Sequence, residues 1–206
     1  MKKIIYIIMS IFIIQIVGSY ACAKDFSDVL STNWAYEYIN YLSDNGIING
    51  YQDDTFRPSN NVSRAEFIKL ITSASKGEDY FTYEKERTFN YNWYDVYMNY
   101  ALNNGFFTKE VGYGVPNDFI TRKEMIVILG KIAKTSHLIE YSELKEAPFN
   151  DVDNIFDDAE IEFVNYSYSS ELIKGYEDGS FKPLNNMTRA EVATVIYNFV
   201  KKVNQE

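Results

Sequence analysis

The chain is poor in the residues that most enzyme chemistry requires: its 206 residues include one Cys, one His, two Trp and four Pro. A lone cysteine, Cys22, forms no internal disulfide and builds no cysteine metal site. The lone histidine, His137, has no nucleophile motif beside it, so no Ser-His-Asp or Cys-His arrangement can be read from the residues. Basic residues are scarce as well. Twenty Lys and Arg against 29 Asp and Glu leave a formal charge of -9, and no basic stripe offsets it, which argues against nucleic acid as a partner. The apolar run from Ile4 to Val17 is broken by Ser10 and Gln15 and falls short of the roughly 20 residues that span a bilayer.

That run reads instead as part of an export signal. Lys2 and Lys3 precede it, and Ala21-Cys22-Ala23 gives the small-x-small pattern of a signal-peptidase site, so residues 1–23 are expected to be a cleaved signal peptide. Cleavage there removes Cys22 and two lysines, leaving 183 residues (206 less 23) with a charge of -11 (18 basic, 29 acidic). Lipid modification of Cys22 is the alternative; Tyr20, standing where a small residue is expected, fits it poorly. No membrane span is expected after cleavage, and the remaining length suffices for one or two domains with a real core.

What the chain does have is one device used three times. Val62-Ser63-Arg64-Ala65-Glu66-Phe67 returns as Ile120-Thr121-Arg122-Lys123-Glu124-Met125 and as Met187-Thr188-Arg189-Ala190-Glu191-Val192, each arginine six residues after a proline, Pro58, Pro116 or Pro183. The hydroxyl residue reads as a helix cap, and the Glu three residues on returns to the cap's own N–H, a reciprocal capping box. The arginine is not explained this way, because it falls at the first helical position, where the helix dipole mildly disfavours a cation. A guanidinium beside free helix-start N–H groups does suit an anion, a carboxylate above all. Arg64, Arg122 and Arg189 are therefore candidates to hold an acidic ligand, against the plainer reading that each pairs with a nearby Asp or Glu.

Residues 24–76 form a first unit: an entry segment Phe26-Ser27-Asp28-Val29, then an amphipathic helix from Trp34 to Asn45 with Trp34, Tyr38, Ile39 and Leu42 on one side. Gly46 is expected to end it in the left-handed region. The connection to Pro58 carries turn residues at Gly50, Asp53 and Asp54, with Ile48 and Phe56 as apolar plugs, and a second helix starts at the Ser63 cap. Residues 77–88 read as a loosely packed linker. The second unit, 89–133, repeats the plan, with Trp93 twelve residues before Gly105 as Trp34 is before Gly46. Its loop is one residue shorter, Phe106-Phe107-Thr108-Lys109-Glu110 replaces the Gly-Tyr turn, and Lys123 stands where the other copies have Ala. After a linker over 134–148, the third unit, 149–206, opens with Phe149-Asn150-Asp151-Val152 and keeps the loop from Gly175 and Tyr176 to Pro183, but Ala159 takes the tryptophan's place and Glu171 that of Gly46. A helix pair this small buries one face only, so the units are expected to pack on one another about a pseudo-threefold axis.

These linked motifs resemble the S-layer homology family: Phe-x-Asp-Val, a Trp-Ala helix, Gly-Ile-Ile-x-Gly-Tyr, x-Asp-Gly-x-Phe-x-Pro and Thr-Arg-Ala-Glu stand nearly complete in the first and third units. The resemblance implies an all-α, three-pronged assembly around a central helical bundle, with grooves between prongs. In the family such grooves hold secondary cell-wall polysaccharide of Gram-positive bacteria, commonly through a ketal-linked pyruvate, and so keep exported proteins on the wall. Matched position by position, the groove arginine falls on Arg64, Arg122 and Arg189, and the groove tryptophan on Trp34 and Trp93. The acidic residue of the opening motif falls on Asp28 and Asp151, and the Gly-Tyr turn on Gly50 with Tyr51 and Gly175 with Tyr176. The second unit lacks that turn and the third lacks the tryptophan, so one or two competent grooves are expected. On composition alone Trp34 and Trp93 read as core residues, Tyr51 and Tyr176 as loop plugs, and Asp28 and Asp151 as caps or turn formers.

Carboxylate pairs arise by chance among so many acidic residues, so counting leaves a glycosidase open, but no catalytic motif accompanies them and no enzyme is expected. No cofactor or metal is expected either, since Gln52-Asp53-Asp54 and Glu177-Asp178-Gly179 lack the alternating ligands and closing Glu of a calcium loop. The competing reading is a surface-layer interaction module that docks S-layer or other surface proteins, with Tyr80, Phe81 and Tyr83 as exposed apolar surface.

Overall fold

The computed structural model describes residues 25–87, 92–106, 115–152 and 154–204; the expected signal peptide with Cys22, and residues 107–114 of the second unit's loop, lie outside the described residues. Within them the chain is all-α, with helices α1 (Tyr36–Asp44), α2 (Arg64–Lys76), α3 (Glu78–Arg87), α4 (Asp95–Asn103), α5 (Arg122–Thr135), α6 (Asp158–Ser169) and α7 (Arg189–Val203), and no strand. The three repeated motifs open α2, α5 and α7 with complete capping boxes: Ser63, Thr121 and Thr188 accept from the N–H of Glu66, Glu124 and Glu191, whose carboxylates accept from the cap residue's own N–H. The first helix of each unit ends in the left-handed region, at Gly46 (φ 68°), Gly105 (φ 71°) and, without a glycine, Glu171 (φ 60°).

The core is built between units, because one amphipathic stripe per helix cannot be covered inside its own unit. α2 packs on α4, α5 on α6, and α7 on α1, so each unit's second helix covers the first helix of the next, and the third unit closes back on the first. Phe67, Ile68 and Ile71 on α2, Met125, Ile126 and Leu129 on α5, and Val192, Ile196 and Phe199 on α7 supply the buried faces. The α5–α6 crossing is close. A Cβ on Gly130 would lie 2.0 Å from the carbonyl oxygen of Phe163, so only glycine lets these backbones meet.

Backbone hydrogen bonds repeat the cycle. The residue before each cap donates to its counterpart: Val62 N–H to Met187 O (2.9 Å), Met187 N–H to Ile120 O (3.0 Å) and Ile120 N–H to Val62 O (2.9 Å), a closed triangle of buried residues. Around it, the first two N–H groups of each capped helix donate to carbonyls of the unit packed beside it. Arg64 and Ala65 reach Asp118 and Pro116, Arg122 and Lys123 reach Asn185 and Pro183, and Arg189 and Ala190 reach Asn60 and Pro58, at 2.8 to 3.0 Å. The fixed offset between proline and arginine thus places a proline carbonyl over a neighbouring helix start.

Three expectations are corrected here. The helix-start amides are occupied by these carbonyls, so none is left over for an anion. Residues 78–87, read as a loose linker, form α3, which packs on α2 and α4. Phe81, read as exposed, is fully buried against the rings of Tyr97 and Tyr100, while Tyr80 and Tyr83 are exposed.

Candidate functional site

Each motif arginine leaves its own unit and grips the next. Arg122 Nε donates to Phe181 O (2.8 Å) and Nη2 to Lys174 O (3.3 Å), while Nη1 lies 3.4 Å from Glu191 Oε1. Arg189 makes the equivalent bonds to Phe56 O (2.8 Å) and Asn49 O (3.1 Å). Arg64 turns to carboxylates instead, with Nη2 2.7 Å from Glu124 Oε1 and Nη1 3.8 Å from Asp118. The guanidiniums of Arg122 and Arg189 also lie over loop aromatics, Tyr176 and Phe181 for one, Tyr51 and Phe56 for the other. Such contacts are worth about 0.5 to 2 kcal/mol each. Arg122 is 5% exposed, and burial pulls its pKa below the usual value against the opposing pull of Tyr176, Glu191 and Asp151.

Three clefts follow from this cycle, each built from the arginine of one unit and the loop of the next. The Arg122 cleft has a volume of about 300 Å³ and adds Trp34, just before the first unit's α1, and Tyr38 on it to Lys174, Gly175 and Tyr176 of the third unit's loop. Four sequence candidates, Trp34, Arg122, Gly175 and Tyr176, are therefore brought together from all three units. Trp34 is 62% exposed, which overturns the reading of it as a core residue and leaves its face open for stacking. The Tyr176 hydroxyl donates to Glu191 Oε1 (2.9 Å), tying the loop to α7, and burial pushes its pKa up.

The Arg189 cleft is smaller, about 50 Å³, and is lined by Asn49, Phe56 and Glu66 with apolar side chains of α2 and α7. Arg189 has no carboxylate within ion-pair distance among the described residues. Tyr51 lies between it and Arg57, whose guanidinium is 3.9 Å from the ring centroid. Trp93 is 52% exposed, again not a core residue, and does not line this cavity.

The Arg64 cleft, about 260 Å³, departs from both. Ala159 lines it at the tryptophan's position, Phe106 comes from the altered second loop, and Lys123 reaches across to Glu160 (2.8 Å) and the carbonyl of Ile155 (2.6 Å). The two lapses in the repeat, one in the second unit and one in the third, converge on this single cleft.

The opening-motif aspartates have a structural role. Asp28 accepts from the N–H groups of Phe56 and Arg57 (2.7 Å each), and Asp151 from those of Phe181 and Lys182 (2.7 and 2.8 Å). Each carboxylate steadies a residue held at positive φ, 59° at Arg57 and 56° at Lys182. Gly50 and Gly175 leave room for the opening-motif rings: a Cβ would meet Phe26 at 2.2 Å and Phe149 at 2.7 Å. Sequence reasoning did not select Lys174 or Asn198, which line the Arg122 cleft; Lys174 occupies the place of Asn49, so no repeated letter signals it.

Two stretches of the chain, residues 25–68 and 148–193, match the S-layer homology domain. An endoglucanase of Bacillus sp. (strain KSM-635) is 31% identical over 97% of this chain and 22% of its own length. A cellulosome-anchoring protein of Acetivibrio thermocellus is 31% identical over 44% of this chain and 20% of its own, and an S-layer protein of Bacillus licheniformis 40% identical over 25% of this chain and 6% of its own. The chain thus spans under a quarter of the length of these relatives.

Proposed function

With S-layer homology domains matched in its first and third units, we propose that this chain is a non-catalytic anchoring module that holds secondary cell-wall polysaccharide of a Gram-positive-type wall in its inter-unit clefts. Its place is outside the cell, on the wall or surface layer. The observation that carries the reading is the Arg122 cleft, where an exposed indole, a tyrosine and a buried guanidinium converge from three units on one concavity. Trp34 offers a sugar ring an apolar face. Arg122, held in the floor, and Lys174 at the rim supply positive charge for the carboxylate of a pyruvylated sugar.

The arginines then have two duties. Each closes the ring of units by gripping the next one; Arg189 also leaves a cation with no carboxylate partner among the described residues at its cleft, while Arg122 lies in the floor of its own with Glu191 3.4 Å away. The Arg189 cleft is the second site, and the Arg64 cleft, its arginine taken up by Glu124, is not a glycan site. Asp28, Asp151, Gly50 and Gly175 act by shaping the loops that present Tyr51 and Tyr176.

The catalytic activities named among the relatives belong to proteins that this chain matches over only a fraction of their length. An interaction module is the second reading, favoured by exposed Tyr80 and Tyr83 and weakened by the burial of Phe81. Pelleting with purified walls separates the two. The mature protein is expected to sediment with intact walls and to stay in solution once the polysaccharide is extracted or its pyruvate is missing. Undiminished retention on stripped walls would instead indicate a protein partner or peptidoglycan.

A further inference from the structure

The Arg64 cleft has lost the features that suit a sugar but, among the described residues, has not filled in. Its walls are Ile68, Met98, Phe106, Val127, Ile128 and Phe163, enclosing about 260 Å³ of largely apolar space. The cations around it are not equivalent. Arg64 is paired with Glu124 at 2.7 Å and Lys123 with Glu160 at 2.8 Å. Asp157 is engaged at the start of α6, accepting from the N–H of Glu160 (2.8 Å). Lys131 alone among these cations has no ion pair among the described residues. Its ammonium lies 5.4 Å from the centre of the Phe163 ring, and burial holds its pKa below the usual value.

An apolar trough with one ammonium at its side that has no ion pair among the described residues, only the longer-range pull of Glu160, is complementary to a ligand that is mostly hydrocarbon and ends in a single negative charge. A sugar presents hydroxyls that these walls cannot satisfy, and a neutral hydrocarbon leaves the half-buried ammonium without a counterion. We propose that the Arg64 cleft is a binding site for an amphipathic acid, a carboxylate on a medium-length alkyl chain, with the chain against Met98, Phe106 and Phe163 and the head group on Lys131. The site is separate from the glycan reading of the other two clefts and stands or falls apart from it.

The test is titration calorimetry of the mature protein with butanoate, hexanoate, octanoate and decanoate, all below micelle formation. Each added methylene buried should tighten binding by roughly fourfold until the trough is full, after which the gain stops. Decanol should bind at least tenfold more weakly than decanoate. Lys131→Gln should remove that preference for the acid, and Ala159→Trp, placed at an exposed position on the rim, should abolish saturable binding while leaving wall pelleting intact. Saturable binding that ignores chain length, equal affinity for decanol, or no saturable binding by any of the acids would overturn the proposal. Loss of wall pelleting without change in these titrations would bear only on the glycan reading.

Discussion

The Arg122 and Arg64 clefts begin from the same six-residue motif and end as different objects. In the first, the guanidinium bonds to two loop carbonyls, lies over two rings and has Glu191 at 3.4 Å, and an indole from a third unit stands open beside it. In the second, the guanidinium is neutralised by Glu124, alanine replaces the indole and Lys123 ties α5 to the third unit. The lesson is that a motif in a cyclic repeat protein does not own a site. The Arg122 and Arg64 clefts each draw on all three units and the Arg189 cleft on two, so a lapse in the second unit's loop and another in the third unit's helix alter one cleft and spare the other two.

The comparison is broken most severely through Arg122. Arg122→Ala leaves two loop carbonyls without their donor inside the protein and should cost about 3 kcal/mol, or about 9 °C in melting temperature. Arg64→Ala removes a partly exposed ion pair and should cost about 1 kcal/mol; equal melting temperatures for the two variants would mean the clefts are not distinct. The two readings offered for the arginines, an acidic ligand or a nearby carboxylate, thus leave out the carbonyls of the neighbouring unit that hold Arg122 and Arg189. Next in size, Gly130→Ala forces α6 away from α5 where Gly130 meets the backbone of Phe163, whose side chain lines the Arg64 cleft, and should cost about 2 kcal/mol, read by thermal unfolding. The caps should be insensitive to which cleft they border: Ser63→Ala, Thr121→Ala and Thr188→Ala should each cost about 1 kcal/mol.

The smallest effect is on pH. Hydrogen bonds from Thr55 and Arg57 draw the Asp53 carboxyl from 3.8 down to about 2, and a hydroxyl and N–H from Ser180 lower Asp178 in the same way. A depressed folded-state pKa stabilises fully above the unfolded value and is lost as pH falls through the folded one. The first unit's loop should therefore hold to about pH 4 and loosen between 4 and 2, seen as increased amide exchange at Thr55, and the third unit's loop should loosen in the same direction on acidification, seen at Ser180.

Much of this could be read from the residues, and the boundary has a physical cause. Capping boxes at Ser63, Thr121 and Thr188 and the left-handed Gly46 are decided within four residues, so sequence shows them. The destination of Arg189, in a loop more than 130 residues away, is decided by how units close on one another. The same closure occupies the helix-start amides that had looked free. α3 escaped notice because, among its described side chains, Phe81 alone is fully buried, too little for a periodic pattern. Asp28 and Asp151 were visible as a motif, but their clamp on a positive-φ residue depends on a loop that folds back from 28 and 30 positions on. The indoles were misjudged from composition, since tryptophan is usually buried and the exception is a matter of where the helix ends.

The most direct test is the retention of Trp34→Ala on purified, polysaccharide-bearing walls, measured beside Arg64→Ala. Trp34 is exposed, so its removal should leave melting unchanged and weaken retention by roughly tenfold, while Arg64→Ala should pellet like the unaltered protein. Full retention of the Trp34 variant, or an equal loss on removing Arg64, would contradict the assignment of the ligand to the Arg122 cleft.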